Sequence, residues 1–319
     1  MSKIGRSAPC PGGSGKKFKN CHGDSSLLQV KDDEAIPLSE SAQQSGWLNY
    51  PLGEYVWFLH KTWSAANVDI PFWVRCSRQF GEPVLCLCCG TGRVALQLAL
   101  SGFEVVGVDL NAEFLKEARR IRLQLQQSYG EILRVRFHRQ DVVHLSLGRT
   151  FPLAIMPAWS FNLLLTVEDQ GAFLKRLSDH LGDRGVFVFS VENATKAGNE
   201  DFKNGWLPTD DPQVVEAKNR MRRNTSPEEV KALLGAAGFE IVAVHGDVES
   251  IKGDIFTAAT AAMDSEFNIV ARKSAPRKAR GRRPLRCKRV ACACAKNHVN
   301  LLRAMSHPMA DIISRIPAK

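Results

Sequence analysis

The chain sets short apolar runs against longer stretches in which apolar residues recur every three or four positions. Residues 83–89 (PVLCLCC) are a short apolar run between Gly and Pro signals and predict a buried strand. Gly90-Thr91-Gly92 turns the chain, and residues 93–101 predict a helix stopped by Gly102. Residues 104–108 (EVVGV), ending in Asp109, predict a second buried strand. Asn111 suits the N-cap of the next helix, which gathers Phe114, Ala118, Ile121 and Leu125 on one face and ends at Gly130. Further strands are predicted at 133–138 (followed by Gln140-Asp141), 153–156 and 185–191, with a helix over 169–181. Residues 195–224 are polar and irregular around Trp206. Ser226-Pro227-Glu228-Glu229 is a capping box with proline at the first helical position; its helix runs through Val230, Leu233 and Leu234 to Gly238. Strands at 240–244 and 267–271 close the pattern. Ahead of it, residues 47–73 are dense in aromatics and predict one or two covering helices. Strands alternating with helices imply an α/β fold, a doubly wound and mostly parallel sheet. Ligands of such sheets bind beyond the carboxyl ends of the strands.

Composition adds bounds. With 319 residues, 44% hydrophobic and 24% charged, the chain has material for a large core, which excludes collagen-like, fully disordered and small disulfide-stapled classes. The formal charge is +10, but it is unevenly placed. From Arg272 onward there are 14 basic residues and one acid, and the first 24 residues carry five basic residues and one acid. The body between them is left at −7. Nucleic-acid binding is therefore disfavoured for the body and open for the two ends. The most apolar stretch, 152–167, is interrupted by Pro157, Ser160 and Asn162, so no membrane span is expected. Nine cysteines, with no apolar leader in MSKIGRSAPC, point to a reducing cytoplasmic setting where thiols stay free or bind metal.

The candidate chemistry lies in the first two strand–helix units. A glycine loop between strand and helix lets a ligand approach the backbone closely. Asp109, 19 residues after Gly90, can accept two hydrogen bonds from a ribose diol, and Asp141 can accept from an adenine amino group. Gly90-x-Gly92-x-x-Ala95 also satisfies a relaxed dinucleotide fingerprint. The downstream pair AAGFEIVAVHGD and EFNIVARK reads as a terminal strand pair, not a second mononucleotide half.

The stretch VLCLCCGTGRVALQLALSGFEVVGVDLNAEFLKEARR resembles the first two motifs of class I S-adenosylmethionine-dependent methyltransferases. TSPEEVKALLGAAGFEIVAVHGD is similar to that superfamily's last helix–strand, and DIPFWVRC precedes the glycine loop as in its small Rossmann-like domains. The resemblance covers about residues 48–273 and implies a seven-stranded sheet with its last strand antiparallel. It implies that Gly90 and Gly92 contact the amino-acid end of the cofactor, Asp109 its ribose and Asp141 its adenine, with Cys88, Thr91, Leu110 and Val142 in the same site. The family usually has an acid where Cys86 stands and a small residue where Cys88 stands; LGDRG at 181–185 replaces its usual turn. The implied reaction is in-line attack of an unidentified acceptor on the sulfonium methyl; the compact, acidic body favours a small molecule as that acceptor. The loop MPAWSFN should border it, with Trp159, Ser160 and Asn162 as candidate lining, joined by Tyr55 and His60 of the aromatic cover.

APCPGGSGKKFKNCHG resembles the SEC-C zinc motif. Cys10, Cys21 and His22 match three ligand positions for Zn(II), and Gly12 stands at the fourth. The expected organisation is a SEC-C-like segment (1–24), a linker (25–46), the methyltransferase domain (47–273) and a basic, disordered tail (274–319). Cys287, Cys292, Cys294 and His298 in the tail match no zinc spacing, and residues 299–316 allow a short amphipathic helix. The basic ends are candidates for contact with ribosome, nucleic acid or protein. The alternative function is a catalytically weak or inactive methyltransferase-like adaptor whose basic ends bind ribosome, RNA or protein.

Overall fold

The protein's structure, a computed structural model, describes residues 35–52, 69–192, 222–223, 225–245 and 266–274. Cys10, Cys21, His22, Tyr55, His60, Trp206 and the basic run after Ser274 lie outside the described residues.

Seven strands form one sheet: β1 (Val84–Leu87), β2 (Val105–Asp109), β3 (Val135–Arg139), β4 (Phe151–Met156), β5 (Leu181–Glu192), β6 (Phe239–His245) and β7 (Glu266–Lys273). Their order is β3-β2-β1-β4-β5-β7-β6. β1 runs parallel to β2 on one side and β4 on the other, with Val84 opposite Val105 and Leu153. β7 enters between β5 and β6, antiparallel to both. The chain winds outward from β1 to β3 and then returns to β4, so the winding reverses between β1 and β4. That is where a crevice opens above the carboxyl ends.

The central strands are apolar throughout because both faces are covered. Period-two alternation divides their side chains between two cores. Val84, Cys86, Leu153, Ile155, Val186 and Val188 pack with the helices α2 (Ile70–Phe80), α3 (Arg93–Leu100) and α4 (Ala112–Tyr129). Leu85, Leu87, Ala154, Met156, Phe187 and Phe189 pack with α5 (Val167–His180) and α6 (Pro227–Ala236). Gly107 of β2 is a packing necessity. A Cβ there would lie 2.6 Å from Cδ1 of Phe137 and 3.0 Å from the Cys89 sulfur.

Capping follows the sequence. Asn111 accepts from the amides of Glu113 and Phe114 at the start of α4, and Gly130 ends that helix in a left-handed conformation. Ser226 accepts from Glu229 N–H at the start of α6, behind Pro227. Several boundaries differ from expectation: α5 spans Val167–His180 where the pattern predicts 169–181, and β5 begins at Leu181, so the LGDRG stretch expected as a turn opens that strand. β4 begins at Phe151, including Pro152, where the register with β5 shifts; a proline is tolerated at such an irregularity. The aromatic stretch supplies α2, whose Phe72 and Trp73 are fully buried.

The larger difference concerns residues 35–46, which read as linker. They form a strap across the carboxyl edge of the sheet, including the short helix α1 (Glu40–Gln44). Ser39 N–H donates to Asp141 Oδ2 at 2.7 Å, and Ser41 N–H to Asp169 Oδ2 at 2.7 Å. Ser41 Oγ accepts from Leu165 N–H at 2.7 Å. Beyond the strap, Asn111 Nδ2 donates to the carbonyls of Trp47 and Tyr50 at 3.0 and 3.1 Å. The segment's polar residues and backbone find partners in the domain, so it docks without an apolar stripe. Among the described residues no helix is long and apolar enough to cross a membrane.

Candidate functional site

A cleft opens where β1, β2 and β3 end, between the glycine loop, the strap and the loop after β4. It encloses about 1160 Å³, counting the part open to solvent. Cys86, Cys88, Cys89 and Gly90 form its floor, Asp109, Leu110, Asp141 and Val142 one wall, and the strap residues Ser39 and Ser41, with Trp47 just after the strap, its roof. Of the residues singled out from sequence, Cys88, Gly90, Asp109, Leu110, Asp141, Val142 and Ser160 line this space. Thr91 is buried in the turn, and Gly92 begins α3 in a left-handed conformation with φ 86°. A Cβ at Gly92 would also press on Leu96 and Phe137 at 3.1 Å, so the turn needs glycine twice over.

Asp109 is fixed by the backbone around it. Gly90 N–H donates to Oδ2 at 2.7 Å and Asn111 N–H to Oδ1 at 2.9 Å. The glycine-loop amide thus orients the acid. Each oxygen keeps a second lone pair for a ligand hydroxyl. Burial raises the Asp109 pKa above its ordinary value, and the amides of Asn111, Gly90 and Leu110 counter part of that rise. Asp141 is held in the same manner, by Val143 N–H on Oδ1 at 3.0 Å and by Ser39 N–H on Oδ2. Two buried carboxylates, each with acceptor capacity in reserve, flank an apolar cleft. That donor-seeking arrangement fits the ribose and amino-purine of an adenosine-type cofactor.

The thiols at the floor are not nucleophiles. Desolvation pushes Cys86 up to about 12, and it holds Cys88 and Cys89 well above the usual thiol value, aided by the Asp109 charge. They remain neutral S–H groups at physiological pH.

The acceptor side differs from expectation in detail. Trp159 sits at a left-handed position with the Arg222 guanidinium over its ring, 5.8 Å from the centroid. Ser160 lines the cleft, and its hydroxyl donates to the Pro157 carbonyl at 2.8 Å. Asn162 is buried, and its amide donates to the Arg223 carbonyl at 2.9 Å while Arg223 N–H donates back to the Asn162 carbonyl at 2.7 Å. It ties residues 222–223 to the loop after β4 and does not line the cleft. The strap serines, Arg93, Phe114 and Arg222 are lining residues that sequence reasoning missed. Arg93 alone carried a signal, its place in the first turn after the glycine loop.

A glycine loop after β1, acids closing β2 and β3, and the 3-2-1-4-5-7-6 sheet together define a methyltransferase-type α/β domain. Comparison with known proteins agrees. Residues 84–185 match the family model of the methyltransferase domain, and residues 6–24 match that of the SEC-C motif. It is 30% identical over 125 residues to YqeM of Bacillus subtilis (strain 168), provisionally named a methyltransferase; the match covers 39% of this chain and 48% of that protein. It is 27% identical over 150 residues to dTDP-3-amino-3,4,6-trideoxy-alpha-D-glucopyranose N,N-dimethyltransferase of Streptomyces venezuelae, covering 47% of this chain and 57% of that one. The chain spans about half the length of the curated relatives it matches. Two solved structures share the fold. One is an S-adenosylmethionine-dependent methyltransferase from Clostridium acetobutylicum ATCC 824, with TM-score 0.51 and 17% identity, covering 69% of this chain and 98% of that one. The other is the CcbJ methyltransferase from Streptomyces caelestis, with TM-score 0.52 and 20% identity, covering 68% of this chain and 95% of that one.

Proposed function

We propose that the cleft binds S-adenosylmethionine and that the protein transfers its methyl group to a small-molecule acceptor. The observation that carries this reading is the pair of buried carboxylates, Asp109 and Asp141, each oriented by backbone amides toward a cleft floored by the glycine loop. In it Asp109 accepts from the ribose hydroxyls and Asp141 from the adenine amino group. Leu110, Phe114 and Val142 give the base apolar walls. Gly90 and Gly92 let the backbone approach the amino-acid arm, with Cys88 and Thr91 in the same turn.

The bound cofactor supplies an activated sulfonium methyl. The chain's own residues then need to hold an acceptor in line and keep water out, which by positioning alone contributes up to roughly 7–11 kcal/mol. Pro157, Ala158 and Ser160 border the acceptor space, and the strap roofs it. Trp159 gives the loop a rigid aromatic face under Arg222. Where the acceptor must lose a proton, Tyr55 and His60 are the proposed bases; the neutral thiols of the floor are poor ones.

Zinc has no step in this reading. The SEC-C segment offers Cys10, Cys21 and His22, and Gly12 provides no fourth ligand for a closed structural site. The segment and the basic tail are proposed instead as docking ends for ribosome, RNA or protein in the cytoplasm. Cys86, standing where an acid is usual, favours one second reading: a cofactor-binding adaptor without turnover.

The test is calorimetric titration of S-adenosylmethionine into the wild type and Asp109→Ala, followed by label transfer to an acceptor panel. Micromolar binding lost in the variant is expected. Binding without transfer to any acceptor would favour the adaptor, and no binding by folded wild type would sink both readings.

A further inference from the structure

Two acids that each begin a helical turn fasten the strap to the domain; Asp141 lines the cleft and Asp169 does not. Asp141 caps the turn Val142–His144, accepting from Val143 N–H on Oδ1 at 3.0 Å, and its Oδ2 accepts from Ser39 N–H at 2.7 Å. Nδ1 of His144 lies 3.8 Å from that oxygen, outside hydrogen-bond reach, so the Ser39 amide is its close donor. Asp169 is the third residue of α5, and its own N–H donates to Thr166 Oγ1 at 3.1 Å. A carboxylate at this place commonly turns back to the amide of the helix cap. That of Asp169 reaches instead to Ser41 N–H, at 2.7 Å across 128 residues of chain.

The Ser41 amide belongs to the first turn of α1, where backbone donors have no partner within the helix. Ser39 Oγ takes the Ala42 amide, the Ser39 carbonyl takes that of Gln43, and Asp169 takes that of Ser41. A helix of five residues does not hold itself together, so its place over the cleft is set from outside. Ser41 Oγ, accepting from Leu165 N–H at 2.7 Å, adds a second fastening. Both amide–carboxylate bonds are buried and charge-assisted. Ser39 and Ser41 stand two residues apart, so holding the Ser41 amide also holds the Ser39 amide, and through it one oxygen of Asp141.

We propose that Asp169 is a positioning residue for the cofactor: through Ser41 and Ser39 it sets the Asp141 carboxylate, and so makes the cleft select a 6-amino over a 6-oxo purine. This rests on the reading that the cleft takes S-adenosylmethionine with its adenine amino group on Asp141. With the Ser39 amide on Oδ2 the carboxylate does not swing toward water, and acceptor capacity stays turned to the cleft. An amino group donates to it, whereas a 6-oxo group brings a second acceptor against the charge. A loosened strap lets water reach Asp141, the carboxylate turns, and the two bases are told apart less well.

S-adenosylhomocysteine and S-inosylhomocysteine carry an amino and an oxo group at the same purine carbon, so the ratio of their Kd values reads the discrimination. Calorimetry on the full chain is expected to give a wild-type preference for S-adenosylhomocysteine of about 10-fold or more, reduced to within about threefold in Asp169→Ala. Asp169→Asn keeps a carbonyl oxygen for the Ser41 amide and should restore most of the preference. Hydrogen exchange at the Ser39 and Ser41 amides should quicken in Asp169→Ala and stay slow in Asp169→Asn. A purely structural role in α5 would weaken both ligands equally, so an unchanged ratio or equal loss of both in Asp169→Ala overturns the proposal. Should that variant fail to fold, Ser41→Ala removes the fastening to Leu165 and leaves the Asp169 bond. It is expected to lower the ratio by a smaller factor, and an unchanged ratio there overturns the proposal too. A wild type that binds both ligands alike removes the adenine contact of Asp141 and this proposal, while the cofactor reading stands. A wild type that binds neither removes both.

Discussion

Asp109 shows how a single residue links burial to function. Its folded pKa is raised, so the folded protein holds that proton more firmly than the unfolded chain does. At neutral pH the ionised, buried carboxylate therefore costs stability, and that cost is relieved as pH falls through the raised folded value toward the unfolded one. Ribose hydroxyls need the ionised form as acceptor. Acidification is thus expected to remove cofactor affinity with a midpoint above the ordinary carboxylate value of 3.8, while the Asp109→Asn variant binds weakly at every pH. Calorimetry with S-adenosylhomocysteine from neutral pH downward checks this; a wild-type affinity independent of pH until the ordinary carboxylate range would contradict it. Cys88 is the other instructive residue. It occupies a left-handed conformation with φ 50° at the position where the resemblance leads one to expect a small residue, a conformation that costs a non-glycine side chain about 1–2 kcal/mol. The motif's backbone is kept although its residue has changed, which is why the loop was legible through the substitution.

At the scale of elements, what could be read and what could not differ by the kind of force involved. β1, β2 and β5 were legible because both faces of each are buried, which demands unbroken apolar runs such as VLCL and GVFVFSV. The starts of α4 and α6 were legible because Asn111 and Ser226 are local caps. The strap was not. Ser39, Ser41 and Ser45 are buried, but the segment is held largely through backbone amides and a hydroxyl, and backbone bonds leave no periodicity in the sequence. Nor could the sequence show that Arg222 would come to lie over Trp159, since nothing local joins two residues so far apart. Asn111 serves both worlds, capping α4 with its oxygen and holding Trp47 and Tyr50 with its nitrogen. Asn111→Ala is expected to cost about 1 kcal/mol as a lost cap and to loosen the strap's exit. Limited chymotrypsin digestion should then cut faster after Trp47, and S-adenosylhomocysteine should slow that cut in the wild type. Unaltered cleavage in the variant would show that Asn111 does not hold the segment.

On the scale of the whole molecule, charge separates the chain into regions of different use. The body, residues 25–271, is at −7, and the two ends carry the excess that makes the total +10. The cleft residues described lie between Ser39 and Arg222, away from both basic runs in sequence. Removing residues 275–319 is therefore expected to leave cofactor affinity unchanged. Binding of a short unstructured RNA, in contrast, should weaken steeply with salt in the full chain, with a slope of about −0.7 per phosphate contact, and vanish on removal of the tail. Fluorescence anisotropy over a salt series reads both. RNA binding that survives the truncation, or that ignores salt, would move the contact elsewhere.

The strap also sets an order of events during synthesis. Ser39 waits for Asp141, 102 residues later, and Ser41 for Asp169, 128 residues later. At about 5–20 residues per second, on the order of 10 s pass between the emergence of the strap and that of its last anchor. Through that interval the strap has nowhere to dock, and its short polar sequence is suited to waiting, since it exposes little apolar surface to misassociate. The roof of the cleft is thus the first part of the domain to be made but can be set in place only after Asp169, with β5 through β7 still to follow.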